Sequence, residues 1–248
     1  MRAAYDGIFF DLRDSIEQGV YRYKDFLPSE SVLVKRYGCA HNTVRKAIGI
    51  LARQGYVLPI HGKGVRVIYH STPLITKKQS CFEPNGFFSL NDAARRQGFT
   101  SHTKVLHMEP IYVDSSFAAE TGFEVGVELI HLERMRYCNG VPLECETNYF
   151  RSETVQGITK ADAENSIYNY IFNVLGGKIA TSTRVFTVER ATERDLELLE
   201  MNGADYVAVV SSASYDGDGI LCEVSISHLH PSVFSFSYAA IRSSLNNE

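Results

Sequence analysis

The first 68 residues carry three short helical patterns followed by a strand–turn–strand pattern. Apolar residues recur at helical spacing within residues 5–18, and these are Ile8, Phe9, Leu12 and Ile16. Ser29 is a natural N-cap for a second helix, which Gly38 closes. A third helix is predicted to begin at residues 41–43, with Asn42 as N-cap, and to end at Gly55. Its buried stripe is Val44, Ala47, Ile48 and Leu51.

Residues 56–68 predict a strand, a glycine-rich turn and a second strand, with His61 and Lys63 at the tip of the hairpin. Two short helices joined by a tight turn, the second basic at its start, indicate a helix-turn-helix. The second helix of such a motif fits the major groove and points its first residues at base edges. The hairpin is then a wing that can lie against a groove or phosphates. Gly62-Lys63-Gly64 lacks the third glycine and following helix of a nucleotide loop, so a hairpin turn is favoured.

Charge is distributed unevenly along the chain. The net charge is −4, which by itself argues against a nucleic-acid partner. Residues 1–72 hold 11 Lys and Arg against 6 Asp and Glu, whereas residues 73–248 hold 14 against 23. A basic head on an acidic body is typical of a module that meets phosphate.

Composition excludes several classes of protein. With 44% hydrophobic and 22% charged residues, the 248-residue chain is not disordered throughout. It has no run near the roughly 20 apolar residues that cross a bilayer, and six charged residues among the first twenty exclude a signal peptide. A cytoplasmic protein without a membrane partner is expected. The five scattered cysteines form no CxxC pair, so reduced thiols are expected. His228 and His230 lack further ligands nearby, so no metal site and no cofactor are predicted.

Residues beyond 80 mix helices and strands in an order that predicts an α+β domain with an antiparallel sheet. The linker is placed at residues 70–80, between a domain at 1–69 and a domain at 81–248. Predicted helices are 91–97, 115–121, 165–175 and 192–201. Predicted strands are 101–110, 128–138, 141–150, 179–191, 206–215 and 220–229. Asn139-Gly140 is a strong hairpin signal between two of these strands, and a second hairpin is predicted around Asp216-Gly217-Asp218-Gly219, between strands 206–215 and 220–229.

Several polar residues of this second domain are candidates for binding an anion. Arg134 and Arg136 lie two apart on a predicted strand, so their guanidinium groups face the same side and suit a phosphate or carboxylate. Ser166 precedes a predicted helix, whose first N–H groups attract anions. Glu146 and Glu223 lie on strands of the two predicted hairpins, and carboxylates accept hydrogen bonds from sugar hydroxyls.

The run from LPSE through NTVRKAIGILARQGYV to HGKGVRV resembles the winged helix-turn-helix of GntR-type bacterial transcription regulators. This resemblance implies a DNA-binding surface made of Ser31, His41, Asn42, Thr43, Arg45, Lys46, His61, Gly62 and Lys63. Arg45 and Lys46 are expected to contact phosphate or base, and His41 and Asn42 to help read the sequence. The family usually has Ser-Arg or Thr-Arg where this chain has Ala40-His41, so its usual operator sequence is not carried over.

The runs RMRYCNGVPLECETNYF and ENSIYNYI resemble the effector-binding, or UTRA-type, domain of the HutC subfamily, whose fold is similar to chorismate lyase. The stretch from Ala163 to TERDLELLE is most similar to trehalose operon repressors. The resemblance implies an effector pocket made of Ser89, Arg134, Arg136, Glu146, Ser166, Tyr168 and Glu223. Where the family often has a Tyr-Arg-x-Asp-like segment, this chain has residues LHPS at 229–232.

The sequence therefore predicts a ligand-controlled transcription repressor rather than an enzyme. A homodimer would place two heads on a near-palindromic double-stranded DNA operator. The expected effector is a sugar phosphate, with trehalose 6-phosphate first and N-acetylglucosamine 6-phosphate or another small acid as alternatives. A lyase-like enzyme and a ligand-independent architectural DNA binder are the other classes considered; the first lacks a nucleophile–base pair, and the second leaves the acidic body unexplained.

Overall fold

Two compact units make up the described part of the chain. The computed structural model describes residues 4–70, 90–177 and 179–235. Residues 4–70 belong to the first unit, and residues 90–235 belong to the second. Ser89 and most of the predicted linker lie outside the described residues. Among the described residues, no helix is long and apolar enough to cross a membrane.

The first unit consists of three helices and one antiparallel hairpin. The helices are α1 (Ala4–Glu17), α2 (Glu30–Tyr37) and α3 (His41–Arg53), and the hairpin strands are β1 (Val57–Ile60) and β2 (Gly64–Val67). Their apolar sides meet in one core, whose fully buried members include Leu12, Leu33, Val44, Ala47, Leu51 and Val67. The helical periodicity and the hairpin predicted from the sequence are confirmed, and Gly38 closes α2 in the left-handed conformation.

Helix α3 begins earlier than its predicted cap. Ala40 is extended, with φ −74° and ψ 153°, and its carbonyl oxygen accepts hydrogen bonds from the N–H groups of Thr43 and Val44 at 3.0 and 3.4 Å. Asn42 therefore lies inside the first turn, and the prediction that it is the N-cap is wrong. Because Ala40 takes the capping position, the Asn42 side chain stays exposed to solvent.

The second unit is built on a six-stranded antiparallel sheet, in agreement with the predicted α+β class. The strand order is β3-β4-β5-β8-β7-β6. The strand bounds are β3 (Ser101–Tyr112), β4 (Glu128–Cys138), β5 (Val141–Arg151), β6 (Ile179–Arg190), β7 (Tyr206–Asp216) and β8 (Leu221–Leu229). Asn139 and Gly140 form the β4–β5 turn with positive φ, as their sequence predicts.

Short helices cover the sheet. They are α4 (Leu90–Gln97), α5 (Ser115–Thr121), α6 (Lys160–Asn165), α7 (Ile167–Asn169) and α8 (Glu193–Leu198), and a 3₁₀ turn spans Ser152–Val155. Helices α6 and α7 pack with Leu132 and Phe150, whereas the segment after α8 packs with Met135. Leu132 and Met135 are an odd number of residues apart on β4, so these two cores lie on opposite faces of the sheet.

The predicted helix over residues 165–175 is interrupted at Ser166. Thr159 and Asp162 form a capping box that starts α6 at Lys160, five residues before the predicted start. Ser166 is extended, with φ −160° and ψ 108°, and it caps α7 by accepting a hydrogen bond from the Asn169 N–H. A π-helical turn, Tyr170–Val174, follows. The predicted helix over 192–201 is also shorter, because Leu199 is extended at ψ 140°.

The cysteine prediction is partly wrong. Cys39, Cys145 and Cys222 are free, as expected for reduced thiols. Cys138 at the end of β4 is disulfide-bonded, which contradicts the expectation. Cys81 lies outside the described residues.

Gly177 packs directly against the π-helical turn, so we expect Gly177→Ala to destabilise the second unit. A Cβ there would lie 2.5 Å from Ile171 Cγ2 and 2.9 Å from the Ile171 carbonyl oxygen, which accepts the Gly177 N–H at 2.7 Å. Ile171 is fully buried, so relieving the overlap should cost about 1–3 kcal/mol. Urea unfolding measures the change. Gly217→Ala is the control, since nothing lies within 4 Å of its Cβ position, and equal losses in the two variants would contradict the steric explanation.

Candidate functional site

Two arginines on β4 form the centre of a buried polar cluster, which we call the arginine pocket. Arg134 and Arg136 point to the same face of the sheet, as their spacing predicts. Arg134 is 5% exposed. Its Nη1 donates to the Ala163 carbonyl at 3.1 Å, which ties β4 to α6. The structure thus confirms that the two guanidinium groups meet on one face.

Glu146 on β5 lies between the two arginines. It is directly opposite Arg134 in the sheet register. The same oxygen, Oε2, accepts hydrogen bonds from Nη2 of Arg134 and from Nη2 of Arg136, the latter at 2.6 Å. The buried Glu146 carboxylate therefore forms ion pairs with both arginines.

Glu223 on β8 is the second acidic centre of the pocket, and it is 1% exposed. Its Oε2 accepts hydrogen bonds from Tyr168 OH at 2.8 Å and from Ser214 Oγ at 3.1 Å, and its Oε1 accepts one from Asn148 Nδ2 at 2.9 Å. Asn148 in turn accepts from Arg134 Nη2 at 3.2 Å through its Oδ1. A continuous hydrogen-bonded chain therefore links the arginines to Glu223.

The sequence missed three members of this cluster. Asn148 and Glu144 lie two residues on either side of Glu146, so strand alternation could have placed both on the same face. Glu144 Oε2 is 3.9 Å from Arg136 Nε. Ser214 on β7 had no local signal, because only the β7–β8 register sets it opposite Glu223.

The three carboxylates of the pocket, Glu144, Glu146 and Glu223, differ in the direction in which burial and nearby charges shift their pKa. Burial tends to raise the pKa of Glu146, but the attraction of Arg134 and Arg136 outweighs it and lowers that pKa to about 2. Burial raises the pKa of Glu223 and of Glu144, against the opposing effects of their hydrogen bonds and the nearby arginines. Glu146 is therefore the carboxylate most firmly ionised beside the two cations.

The arginine pocket keeps unused hydrogen-bond donors. Within the described part of the chain, the buried Nε groups of Arg134 and Arg136 have no acceptor. A cavity of about 20 Å³ adjoins them, lined also by Thr103, Ser166 and Tyr168. Two guanidinium groups with two unfilled N–H donors suit an added anion.

Other candidate residues are placed elsewhere. Ser89 lies outside the described residues. His228 Nδ1 is 2.8 Å from Asp195 Oδ1, and His230 Nδ1 is 2.6 Å from Ser232 Oγ, so the two histidines have separate partners.

In the first unit, most of the predicted DNA-facing side chains of α2 and α3 are exposed. Ser31, His41, Asn42, Arg45 and Lys46 are exposed, and Thr43 is half-buried. Glu30 Oε2 accepts a hydrogen bond from Arg45 Nε at 2.9 Å and lies 3.8 Å from His41 Nδ1. Lys46 Nζ sits 3.9 Å from the centre of the Tyr5 ring. The ion pair with Glu30 therefore holds the Arg45 side chain near the start of α3. The first N–H groups of this helix have no hydrogen-bond partner within the helix.

The tip of the hairpin is also exposed. His61, Gly62 and Lys63 form the turn, and Lys63 N–H donates to the Ile60 carbonyl at 3.1 Å. Gly62 has φ +70°, a conformation that glycine adopts without steric cost. The turn thus presents a lysine and a histidine away from the core.

Known families match both units. The gntR family of bacterial regulatory proteins matches residues 4–67, and the UTRA domain matches residues 96–235. The HTH-type transcriptional regulator TreR of Bacillus subtilis is 30% identical over 205 residues, which is 82% of each chain. The matching families and relatives are transcription regulators, in agreement with the prediction that this chain is not an enzyme.

Solved structures share the fold. The possible transcriptional regulator YydK of B. subtilis superposes with a TM-score of 0.71 at 20% identity, over 96% of this chain and 100% of that one. The effector binding domain of the B. subtilis trehalose repressor has a TM-score of 0.52 at 26% identity, over 57% of this chain and 99% of that one. With its winged helix-turn-helix and its six-stranded second unit, the chain belongs to the HutC-type GntR transcription regulators that carry a UTRA domain.

Proposed function

We propose that this regulator is a repressor that leaves its operator when a small phosphorylated sugar binds the arginine pocket. Trehalose 6-phosphate is the first candidate for the effector. The carrying observation is the pair of buried Nε donors on Arg134 and Arg136, which lie beside Glu146, the carboxylate whose pKa the two arginines lower. A phosphate group would supply acceptors for these two donors.

The rest of the cluster suits the sugar. Glu223, Asn148, Tyr168 and Ser214 supply the hydroxyl, amide and carboxylate groups that hydrogen-bond a polyol. The relative whose solved effector domain resembles this one is described as a trehalose repressor. That description favours a trehalose derivative over an amino-sugar phosphate.

Binding such a ligand requires the pocket to open. The cavity of about 20 Å³ holds about one water molecule, whereas ligand pockets usually span some 300–1,000 Å³. We infer that a phosphate accepted by the two Nε donors moves α6 through the Arg134–Ala163 contact. A ligand that binds only the open form shifts the population between two states, and this shift is the physical basis for release from DNA.

A panel of thermal-shift measurements tests the effector. At about 100 times its Kd, a ligand should stabilise the second unit by roughly 2.7 kcal/mol. Stabilisation by trehalose 6-phosphate but not by trehalose is the expected result. A response only to N-acetylglucosamine 6-phosphate would overturn the trehalose assignment, and no response to any sugar phosphate would overturn the phosphate proposal.

On the DNA side, we propose that Arg45 and Lys46 contact phosphate or base, that Ser31 and Thr43 adjoin the backbone, and that His41 and Asn42 read base edges. His61, Gly62 and Lys63 would lie against the neighbouring groove or phosphates.

We further propose that the protein is a homodimer. In each chain, a DNA-binding domain at residues 1–69 would be joined by a linker at 70–80 to an effector domain at 81–248. Two heads would then meet a near-palindromic operator. Sedimentation of the protein with and without an operator duplex measures this stoichiometry, and one chain per duplex would contradict it.

Lys46→Ala should weaken DNA binding in a salt-dependent way. If Lys46 neutralises a phosphate, its loss removes one released counterion, so the slope of log K against log salt should fall by about 1 for each subunit bound. Fluorescence anisotropy on a duplex selected from random sequence by the protein measures the slope. Lys104→Ala is the matched control, because this exposed lysine lies on β3 in the other unit. An unchanged slope in Lys46→Ala, or an equal change in Lys104→Ala, would contradict the assignment.

A further inference from the structure

A second cluster of polar residues lies on the opposite face of the sheet from the arginine pocket. In the register of β3 with β4, His107 is opposite Glu133 and Glu109 is opposite His131. Directly opposed residues share a face, so two histidines and two glutamates gather on one side. Glu133 precedes Arg134 on β4, which puts this cluster on the face that the arginine pocket does not use.

The donor atoms of this cluster are close together. One ligand atom from each of His107, Glu109 and His131 lies within 4.8 Å of the other two. The two imidazole rings are 5.1 Å apart, and His107 Nε2 is 3.1 Å from Glu109 Oε1. Tetrahedral zinc ligands lie about 3.3 Å from one another, so movements of about 1 Å in side chains would close the set around an ion.

The side chains differ in how firmly they are held. His131 is stacked on Tyr149, with ring centres 4.8 Å apart and planes at 14°, which fixes its orientation. His107 and Glu109 are 40% and 53% exposed, so they are free to adjust their rotamers. One fixed ligand and two adjustable ones make a site that can form when an ion arrives.

One ring nitrogen of the cluster lacks a hydrogen-bond partner, which favours a bound metal ion. Nε2 of His131 is buried and has no hydrogen-bond partner in the described chain, and a buried ring nitrogen without a partner is costly. Glu133 Oε1 is 3.9 Å from this nitrogen, beyond hydrogen-bond distance, while Glu133 Oε2 is 3.1 Å from Arg194 Nη2. Glu133 therefore leaves Nε2 of His131 without a hydrogen bond.

We propose that His107, Glu109 and His131 bind a divalent transition-metal ion of the zinc class. Two imidazoles and one carboxylate are a donor set that Zn²⁺ accepts, with a further position left for water or a small anion. The side chains of His107 and Glu109 are 40% and 53% exposed, so solvent can reach that position. The proposal does not depend on the identity of the sugar effector, because the two sites use different residues on different faces.

The sequence did not reveal this site. His107 and His131 are separated by 23 residues of chain, and neither lies in a recognisable ligand spacing. Only the β3–β4 register, with its irregularity between Val105 and His107, sets the two histidines on one face.

Titration of the tag-free, full-length protein with ZnCl₂ against a chromophoric chelator tests the proposal. We expect one ion per chain, and we expect Co²⁺ in its place to give the visible absorption of a low-symmetry site. His107→Gln and His131→Gln should each weaken zinc binding at least about 100-fold, since losing a supporting residue alone costs 10–100-fold. Far-UV circular dichroism checks folding, and the exposed His107 keeps the test valid if His131→Gln does not fold.

His102→Gln and His228→Gln are the controls. His102 is an exposed histidine on the same strand, and His228 is the one paired with Asp195. Unchanged zinc binding in both controls supports the assigned site. The proposal is overturned if no stoichiometric zinc binding occurs, if binding persists in His107→Gln, or if it is lost in either control.

Discussion

Replacing Glu146 by Gln is expected to lower the free energy of unfolding of the second unit by about 3–5 kcal/mol. Glu146 is 8% exposed and binds both Arg134 and Arg136. Gln keeps the shape but removes the charge, which leaves buried Arg134 without its carboxylate partner and Arg136 with only Glu144, 3.9 Å from its Nε. Removing one member of a buried ion pair has a cost of this size, because the remaining charge has neither water nor partner.

The effect should depend on pH in a defined direction. The pKa of Glu146 falls from an ordinary 4.5 to about 2 in the folded protein. Its stabilising contribution is therefore complete above pH 4.5 and is lost as the pH falls toward 2. The difference in stability between wild type and Glu146→Gln should be largest at neutral pH and should narrow across this window.

Chemical denaturation at pH 7 and at several acidic pH values measures this difference. Glu124→Gln is the control, since Glu124 also pairs with an arginine, Arg151, but is 69% exposed. Exposed ion pairs contribute little, so the control should leave stability almost unchanged. A Glu146→Gln protein as stable as wild type at pH 7 would show that the two arginines do not need this carboxylate.

Replacing Arg136 by Met should weaken binding of trehalose 6-phosphate by about 2–5 kcal/mol, or roughly 30- to 5,000-fold. This expectation rests on the proposed function. Arg136 is 15% exposed in its side chain and contributes one of the two unfilled Nε donors. Met fills a similar volume without charge, so the phosphate would lose one guanidinium fork inside a poorly solvated pocket. In Arg136→Met, Arg134 still pairs with Glu146.

Isothermal titration of the purified protein measures this loss. Arg136→Lys keeps the charge without the planar fork and should give an intermediate affinity. Arg151→Met is the matched control, because Arg151 on β5 binds Glu124 and the Leu221 carbonyl outside the arginine pocket. Equal affinity in wild type and Arg136→Met would show that the phosphate of trehalose 6-phosphate does not bind Arg136.

The elements of the first unit could be read from the sequence because their signals are local. Helical spacing of Leu12 and Leu51, the glycine at position 38 and the hairpin around Gly62 each act within a few residues. The same holds for the Asn139-Gly140 turn and for the alternation that sets Arg134 and Arg136 on one face. The errors at Asn42 and over residues 165–175 concern helix starts, since α3 begins after Ala40, which has no capping side chain, and α6 begins after Thr159.

The sequence by itself determined which side chains are charged or can donate hydrogen bonds. Strand alternation also determined which of these side chains share a face of the same strand. Local turn signals predicted the β4–β5 and β7–β8 hairpins, but only the tertiary structure decided the other neighbours and the register of every pair. The β5–β8 and β7–β8 pairings bring Glu223 to Asn148 and Ser214, and the β3–β4 register brings His107 to His131. Strand order and register depend on contacts between residues far apart in the chain. These contacts must bury the apolar side chains of both faces of the sheet and also offset the entropy lost in closing the loops. A local pattern can therefore predict the arginines, whereas their hydrogen-bonded partners depend on how the sheet is assembled.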